Sequence, residues 1–130
     1  MERVEVLVGD LRNLGDCQAA CEDVDVVFHV ASFGMSGKDM LAGKMIYDIN
    51  VLGTINIVEA AKEAGVECLV HTSTTNVVFS NRAIFDGNED LPYVPAAEHL
   101  DNYSRTKSEA EQVCQRRRRR RRPSLRCLCD

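Results

Sequence analysis

Two nearly continuous apolar runs, Val24–Ala31 and Glu67–Thr72, flank a stretch from about Asp39 to Ala64 that carries helical spacing. That alternation restricts the fold more than any other feature. Val-Asp-Val-Val-Phe-His-Val-Ala puts apolar residues on both parities, as a strand does when both of its faces are covered. Between the runs, Leu41, Met45, Ile49, Leu52, Asn56 and Ala60 follow a helical period, and Gly65 stands where a left-handed cap belongs. Ahead of them, Val4–Val8 is a short β-branched run ending at Gly9-Asp10. Asn13 to Cys21 reads as a short helix with Leu14, Cys17 and Cys21 (or Ala20) inward. Residues 76–100 read as loop, broken by Asp86-Gly87, Pro92 and Pro95. A last helix takes Asp101 or Asn102 as its N-cap and runs from Tyr103 toward Gln115. The order β-α-β-α-β-loop-α predicts an α/β fold with a parallel sheet of about three strands flanked by helices.

The 130 residues allow one domain with a real core and not two of ordinary size. No apolar run reaches the length of a membrane span, and the N-terminus lacks the basic-then-apolar pattern of a signal peptide. Six cysteines (17, 21, 68, 114, 127 and 129) without a secretory signal point to a reducing, cytoplasmic setting. Cys17 and Cys21 lie one turn apart, but no second pair at a zinc spacing accompanies them, so no metal site is expected. The net charge of −4 hides a split. Residues 1–115 carry 8 Lys/Arg against 19 Asp/Glu, a balance of −11, whereas residues 116–130 carry 8 Arg and one Asp, +7. Seven consecutive arginines, Arg116 to Arg122, repel one another and then meet Pro123, so 116–130 is expected to be a disordered basic tail. Such a run has the chemistry to bind polyanions, or it is an out-of-context C-terminus.

In sheets of this kind ligands bind beyond the carboxyl ends of the strands, which here carry Asp10, Ala31-Ser32 and Ser73-Thr74. Tyr103-Ser-Arg-Thr-Lys107 arrives next to the third of these. On a helix, Tyr103 and Lys107 share one face. A phenol is a poor base at neutral pH, and a nearby cation favours the phenolate. A phenol, an ammonium and an upstream hydroxyl are the parts needed to move a proton on an alcohol or a carbonyl. His29, in the middle of an apolar strand, reads as a hydrogen-bonded core histidine. Asn50, in an otherwise apolar helix, is a buried amide that needs partners.

Gly9-Asp-Leu-Arg12, Val26-Val-Phe-His-Val-Ala-Ser32, Asn50-Val-Leu-Gly-Thr54, His71-Thr-Ser-Thr74 and Tyr103–Lys107 stand in the order seen in extended short-chain dehydrogenases/reductases. Across residues 3–113 the chain resembles the 3β-hydroxysteroid dehydrogenase/isomerase branch and is most similar to family 42E. The resemblance implies an incomplete Rossmann-type sheet, with residues 1–115 as a partial NAD(P)-binding domain. It places Asp10 and Leu11 by the adenine ring, and Val30, Ala31 and Ser32 along the path from ribose to pyrophosphate. Ser73, Tyr103 and Lys107 would complete the cofactor contacts. Thr74 matches the hydroxyl that holds the substrate oxygen, Tyr103 the general acid/base, and Lys107 the group that lowers the phenol pKa and grips the ribose. Asn50 would support the proton relay. The implied chemistry is hydride transfer between NAD (or NADP) and a secondary alcohol on a hydrophobic, steroid-like substrate.

Departures from the family pattern are as informative. The Gly-rich turn that holds a pyrophosphate at a helix N-terminus is not in this sequence, nor is the residue that selects NAD from NADP. The first run corresponds to a third strand, and the later strands and substrate-binding part are also missing. The expected reading is therefore a truncated, weakly active or inactive form of an oxidoreductase. The parent would lie in the cytoplasm or on the cytoplasmic face of the endoplasmic reticulum. The alternative is a non-catalytic interaction module. It would pair as a homodimer, or with a full-length subunit, through the 39–65 and 103–113 helices, or bind polyanions through the tail. A nucleic-acid partner is not what the family implies.

Overall fold

The computed structural model describes residues 4–88, 90–119 and 126–129. Helix α1 (Leu14–Cys21) begins at Asn13, whose side chain accepts from the Gly15 N–H at 2.9 Å. That bond satisfies one of the first-turn donors a helix leaves open. Strand β1 (Val26–His29) follows and pairs in parallel with β2 (Cys68–His71), with His29 opposite His71. Between them the chain forms a short 3-10 turn over Gly37–Leu41, breaks at Ala42, and then runs helically from Gly43 to Glu63. This long element comprises α2 (Gly43–Tyr47), a π-turn over Asp48–Leu52, and α3 (Gly53–Glu63). Gly65, at φ +77°, closes it: the Val66 N–H reaches the Ala61 carbonyl at 2.9 Å and the Gly65 N–H reaches that of Lys62 at 3.3 Å. Those two bonds are the paired closure of a Schellman cap.

Helix α4 (Asn102–Arg119) takes Asp101 as its N-cap, which accepts from the Ser104 N–H at 2.6 Å and the Ser104 hydroxyl at 3.1 Å. A third strand, β3 (Arg126–Cys129), pairs in parallel with the other edge of β2. The sheet order is β1-β2-β3. The core lies between the sheet and α1, α3 and α4. It contains Cys17, Cys21, Ile57, Val58, Ala60, Ala61, Val66, Leu69 and Cys114. Its cysteines are free thiols.

Four expectations are corrected. Val4–Val8 is not a strand, and its apolar side chains are exposed. In a doubly wound sheet ordered 3-2-1-4-5-6, a third strand borders the second and never the fourth. Among the described residues Val4–Val8 therefore has no neighbour to pair with, and the sheet reaches three strands by another route. The helical stripe is also shifted. Of the expected stripe Leu41, Met45 and Leu52 are exposed and Ala60 is buried, together with Ile46, Asn50, Thr54, Ile57 and Ala61. The wider π-turn at 48–52 accounts for part of this by adding a residue to one turn, which changes the helix phase. Leu14, expected inward, is 40% exposed.

Finally, the tail is partly regular. Arginine is a good helix former and a cation suits a helix C-terminus, so α4 continues to Arg119. Arg126–Cys129 occupies an edge of β2 whose backbone groups would otherwise lack partners. Residues 120–125 and 130 of the expected tail lie outside the described residues. Among the described residues, no helix is long and apolar enough to cross a membrane.

Candidate functional site

The carboxyl end of β2 and the first turns of α4 meet at Thr72–Thr74. Lys107 is 3% exposed, and its Nζ donates to the Thr72 carbonyl at 2.5 Å. Burying an ammonium is costly unless it is hydrogen-bonded, and this carbonyl supplies a bond. Tyr103, one turn earlier, is 8% exposed. Thr74 caps a 3-10 turn over Thr75–Val77 by accepting from the Asn76 N–H at 3.4 Å, a bond that does not use the hydroxyl proton. Helix α4 packs against that turn. The Ser73 hydroxyl donates to Glu111, which also accepts from the Tyr93 phenol at 2.7 Å.

Behind this surface lies a buried polar network. Asn50 sits in the π-turn, a distortion that recurs at functional positions. Its Oδ1 accepts from the Phe33 N–H at 2.8 Å, and its Nδ2 donates to the Phe33 carbonyl and to Thr106 Oγ1, each at 3.0 Å. One amide thus fixes the loop after β1 and ties it to α4 between Tyr103 and Lys107. The Thr54 hydroxyl donates to the Asn50 carbonyl at 2.6 Å, leaving its oxygen to accept from His29 Nε2 at 2.9 Å. His29 therefore carries its proton on Nε2. The His29 and His71 rings lie 5.2 Å apart. Burial, reinforced by the Lys107 ammonium, pushes His29 down to about 4 and His71 to about 3, so both are neutral at physiological pH.

Val30, Ala31 and Ser32 are exposed at the end of β1. Gly34, at φ +85°, brings the following backbone against Ile46, leaving no room for a Cβ. Asp10 is bound by Arg12 Nε and Nη2, and a hydrogen bond from that side chain holds its carboxyl down at about 2. The Asp10 N–H donates to Asp16 at 2.9 Å, and the Leu11 carbonyl accepts from Asn56 Nδ2 at 2.8 Å. Asp10 and Leu11 thus lie against α1 and α3, and no hydrogen bond links them to α4 among the described residues.

Of the expected residues, the structure joins Asn50, Ser73 and Lys107 by hydrogen bonds to α4 or to the end of β2. It buries Tyr103 on the same helix and leaves Asp10 and Leu11 in a separate cluster. Sequence reasoning missed Glu111, Thr106 and Thr54. Glu111 had a signal: it continues the i, i+4 series of Tyr103 and Lys107.

A parallel sheet whose central strand ends against a helix with buried Tyr and Lys four residues apart defines a Rossmann-type protein of the short-chain dehydrogenase/reductase class. The model of the 3-beta hydroxysteroid dehydrogenase/isomerase family matches residues 1–120, and the chain belongs to that family. It is 50% identical over 112 residues to short-chain dehydrogenase/reductase family 42E member 1 of Bos taurus, covering 85% of this chain and 28% of that protein. The sterol-4-alpha-carboxylate 3-dehydrogenase, decarboxylating, of Homo sapiens is 39% identical over 105 residues, covering 81% and 27%. The chain thus spans little more than a quarter of these relatives. Among solved structures, MoeE5 in complex with UDP-glucose and NAD superposes with a TM-score of 0.79 at 26% identity, covering 95% of this chain and 39% of that one. A short-chain dehydrogenase/reductase superfamily protein from Agrobacterium tumefaciens with bound NAD gives 0.78 at 25%, covering 93% and 35%.

Proposed function

We propose that this chain carries the proton-transfer half of an NAD(P)-dependent oxidoreductase site that acts on a secondary alcohol of a steroid-like molecule. The observation that supports this most is the delivery of Lys107 to the Thr72 carbonyl, with Tyr103 one turn ahead and Thr74 two residues on. Tyr103 takes the alcohol proton, Thr74 donates its unused hydroxyl proton to the substrate oxygen, and Lys107 stabilises the phenolate. Asn50 positions the helix that carries Tyr103 and Lys107, through Thr106. A bound nicotinamide would supply the hydride acceptor.

The fit to that cofactor is partial. Exposed Val30–Ser32 at the sheet edge, Ser73 and Lys107 suit the ribose and nicotinamide end, and Asp10 with Leu11 suits the adenine. A glycine-rich phosphate cradle is not among these residues, so the 130-residue chain by itself should bind NAD weakly. NADH formation from a 3β-hydroxysteroid at high NAD tests the reading. Turnover should fall at least about a hundredfold in Tyr103→Phe, the usual worth of a general acid/base. Undiminished turnover in that variant would remove Tyr103 from the role.

A second reading, a subunit-pairing module, is favoured by a different observation. Leu41, Met45 and Leu52 are 89%, 42% and 41% exposed along the 39–65 segment, apolar surface suited to a second copy or a longer relative. Polyanion binding by the arginine run belongs to this reading too, and heparin retention that survives deletion of 116–130 would count against it.

A further inference from the structure

Glu111 has no part in the chemistry above, yet its carboxylate gathers groups from three parts of the chain. Ser73 Oγ donates to Oε2, while the Tyr93 phenol and Gln115 Nε2 donate to Oε1 at 2.7 and 3.2 Å. Tyr103, Lys107 and Glu111 are successive fourth residues of α4, so they form one stripe along the helix. Two of them hold neighbouring residues of the strand end: Lys107 takes the Thr72 carbonyl and Glu111 the Ser73 hydroxyl. Thr74 is the next residue. Hydrogen bonds to charged groups are the stronger kind, and two of them on consecutive residues resist both sliding and rotation of the strand end. The other carboxylate oxygen extends the hold to Tyr93. Its neighbour Val94 donates to the Val77 carbonyl at 3.0 Å, closing the base of the intervening loop. That loop exposes Phe79, Ile84 and Phe85.

We propose that Glu111 is a positioning residue that locks the Ser73–Thr74 strand end and the 77–94 loop together, making the loop's apolar side chains one wall of the substrate site. The term substrate rests on the oxidoreductase reading; the lock does not. Trypsin cleavage of the native full chain after Arg82 reads loop opening, because cleavage follows the population of the opened form when reclosing is fast. Glu111→Gln should raise that cleavage about tenfold, the factor carried by about 1.4 kcal/mol, with cleavage after Lys62 in α3 unchanged. Tyr93→Phe should raise it similarly, and the double variant should be no faster than Glu111→Gln, as expected for one shared interaction. Arg82 cleavage that stays at the wild-type rate, or that rises in step with Lys62, would overturn the lock. In turnover, Glu111→Gln should lower kcat about tenfold with KM for the cofactor unchanged. Unaltered kcat in that variant would overturn the positioning role. No turnover by the wild-type chain would count against the oxidoreductase reading, and the cleavage result would still decide the lock.

Discussion

His71 is 1% exposed, and neither ring nitrogen has a hydrogen-bond partner among the described residues. A buried polar group left in that state costs roughly 1–3 kcal/mol, and protonating it there costs more. With His29 at about 4 and His71 at about 3, both folded values lie below the ordinary 6.5. Between those limits the unfolded chain binds more protons than the folded one, so stability rises with pH. It should reach a plateau above about pH 7 and fall by a few kcal/mol as the pH drops from 6.5 towards 4. Urea denaturation at a series of pH values checks this, and His71→Phe should flatten the slope. A profile that declines with rising pH over that range would show that these rings are not neutral in the fold. Asn50 is the opposite case, a buried amide whose partners are the Phe33 backbone and Thr106. The need for partners was legible from an amide in an apolar helix, but their identity was not, because Phe33 and Thr106 reach it only through the tertiary fold.

At the scale of elements, the seating of the loop ahead of α2 depends on one glycine. Gly34 has φ +85°, and a Cβ there would lie 2.4 Å from Ile46 Cγ1. Gly34→Ala therefore combines backbone strain with overpacking against a fully buried side chain, and should cost about 2–4 kcal/mol. Chemical denaturation checks that loss, and an unchanged midpoint would mean that the 30–37 loop does not seat on α2. Strands 26–29 and 68–71, the Gly65 cap and the Asp101 cap were legible because each rests on local chemistry: apolar runs, positive φ, and a carboxylate aimed at open N–H groups. Val4–Val8 misled because a β-branched run states a preference and not a partner. The burial phase of residues 41–61 misled because a π-turn leaves no mark in a periodicity. The arginine run reads as mutual repulsion, yet arginine's helix propensity carries α4 on to Arg119.

For the whole molecule, helices α1, α3 and α4 share a core with Leu69, on the side of the sheet towards which Val27, His29 and His71 are buried. Val26 and Phe28, on the opposite parity of β1, are 44% and 69% exposed. One-sided coverage follows from right-handed crossovers that proceed in one direction along the sheet. A doubly wound sheet covers its second face with crossovers running the other way. The exposed Leu41, Met45 and Leu52 add further apolar surface. Self-association through that surface should appear in size-exclusion chromatography with light scattering, and Met45→Glu with Leu52→Glu should return the chain to a monomer. A wild-type chain that is already monomeric would remove the homodimer from the pairing reading.

The proposed function requires one convergence: the ends of β1 and β2 and the Tyr103–Lys107 face of α4 would together hold a dinucleotide. Two-dimensional NMR of the 130-residue chain titrated with NADH tests it without requiring turnover. The amides of residues 30–32, 73–74 and 103–107 should shift together along a weak, saturating isotherm. Shifts confined to other residues, or none at millimolar NADH, would contradict it.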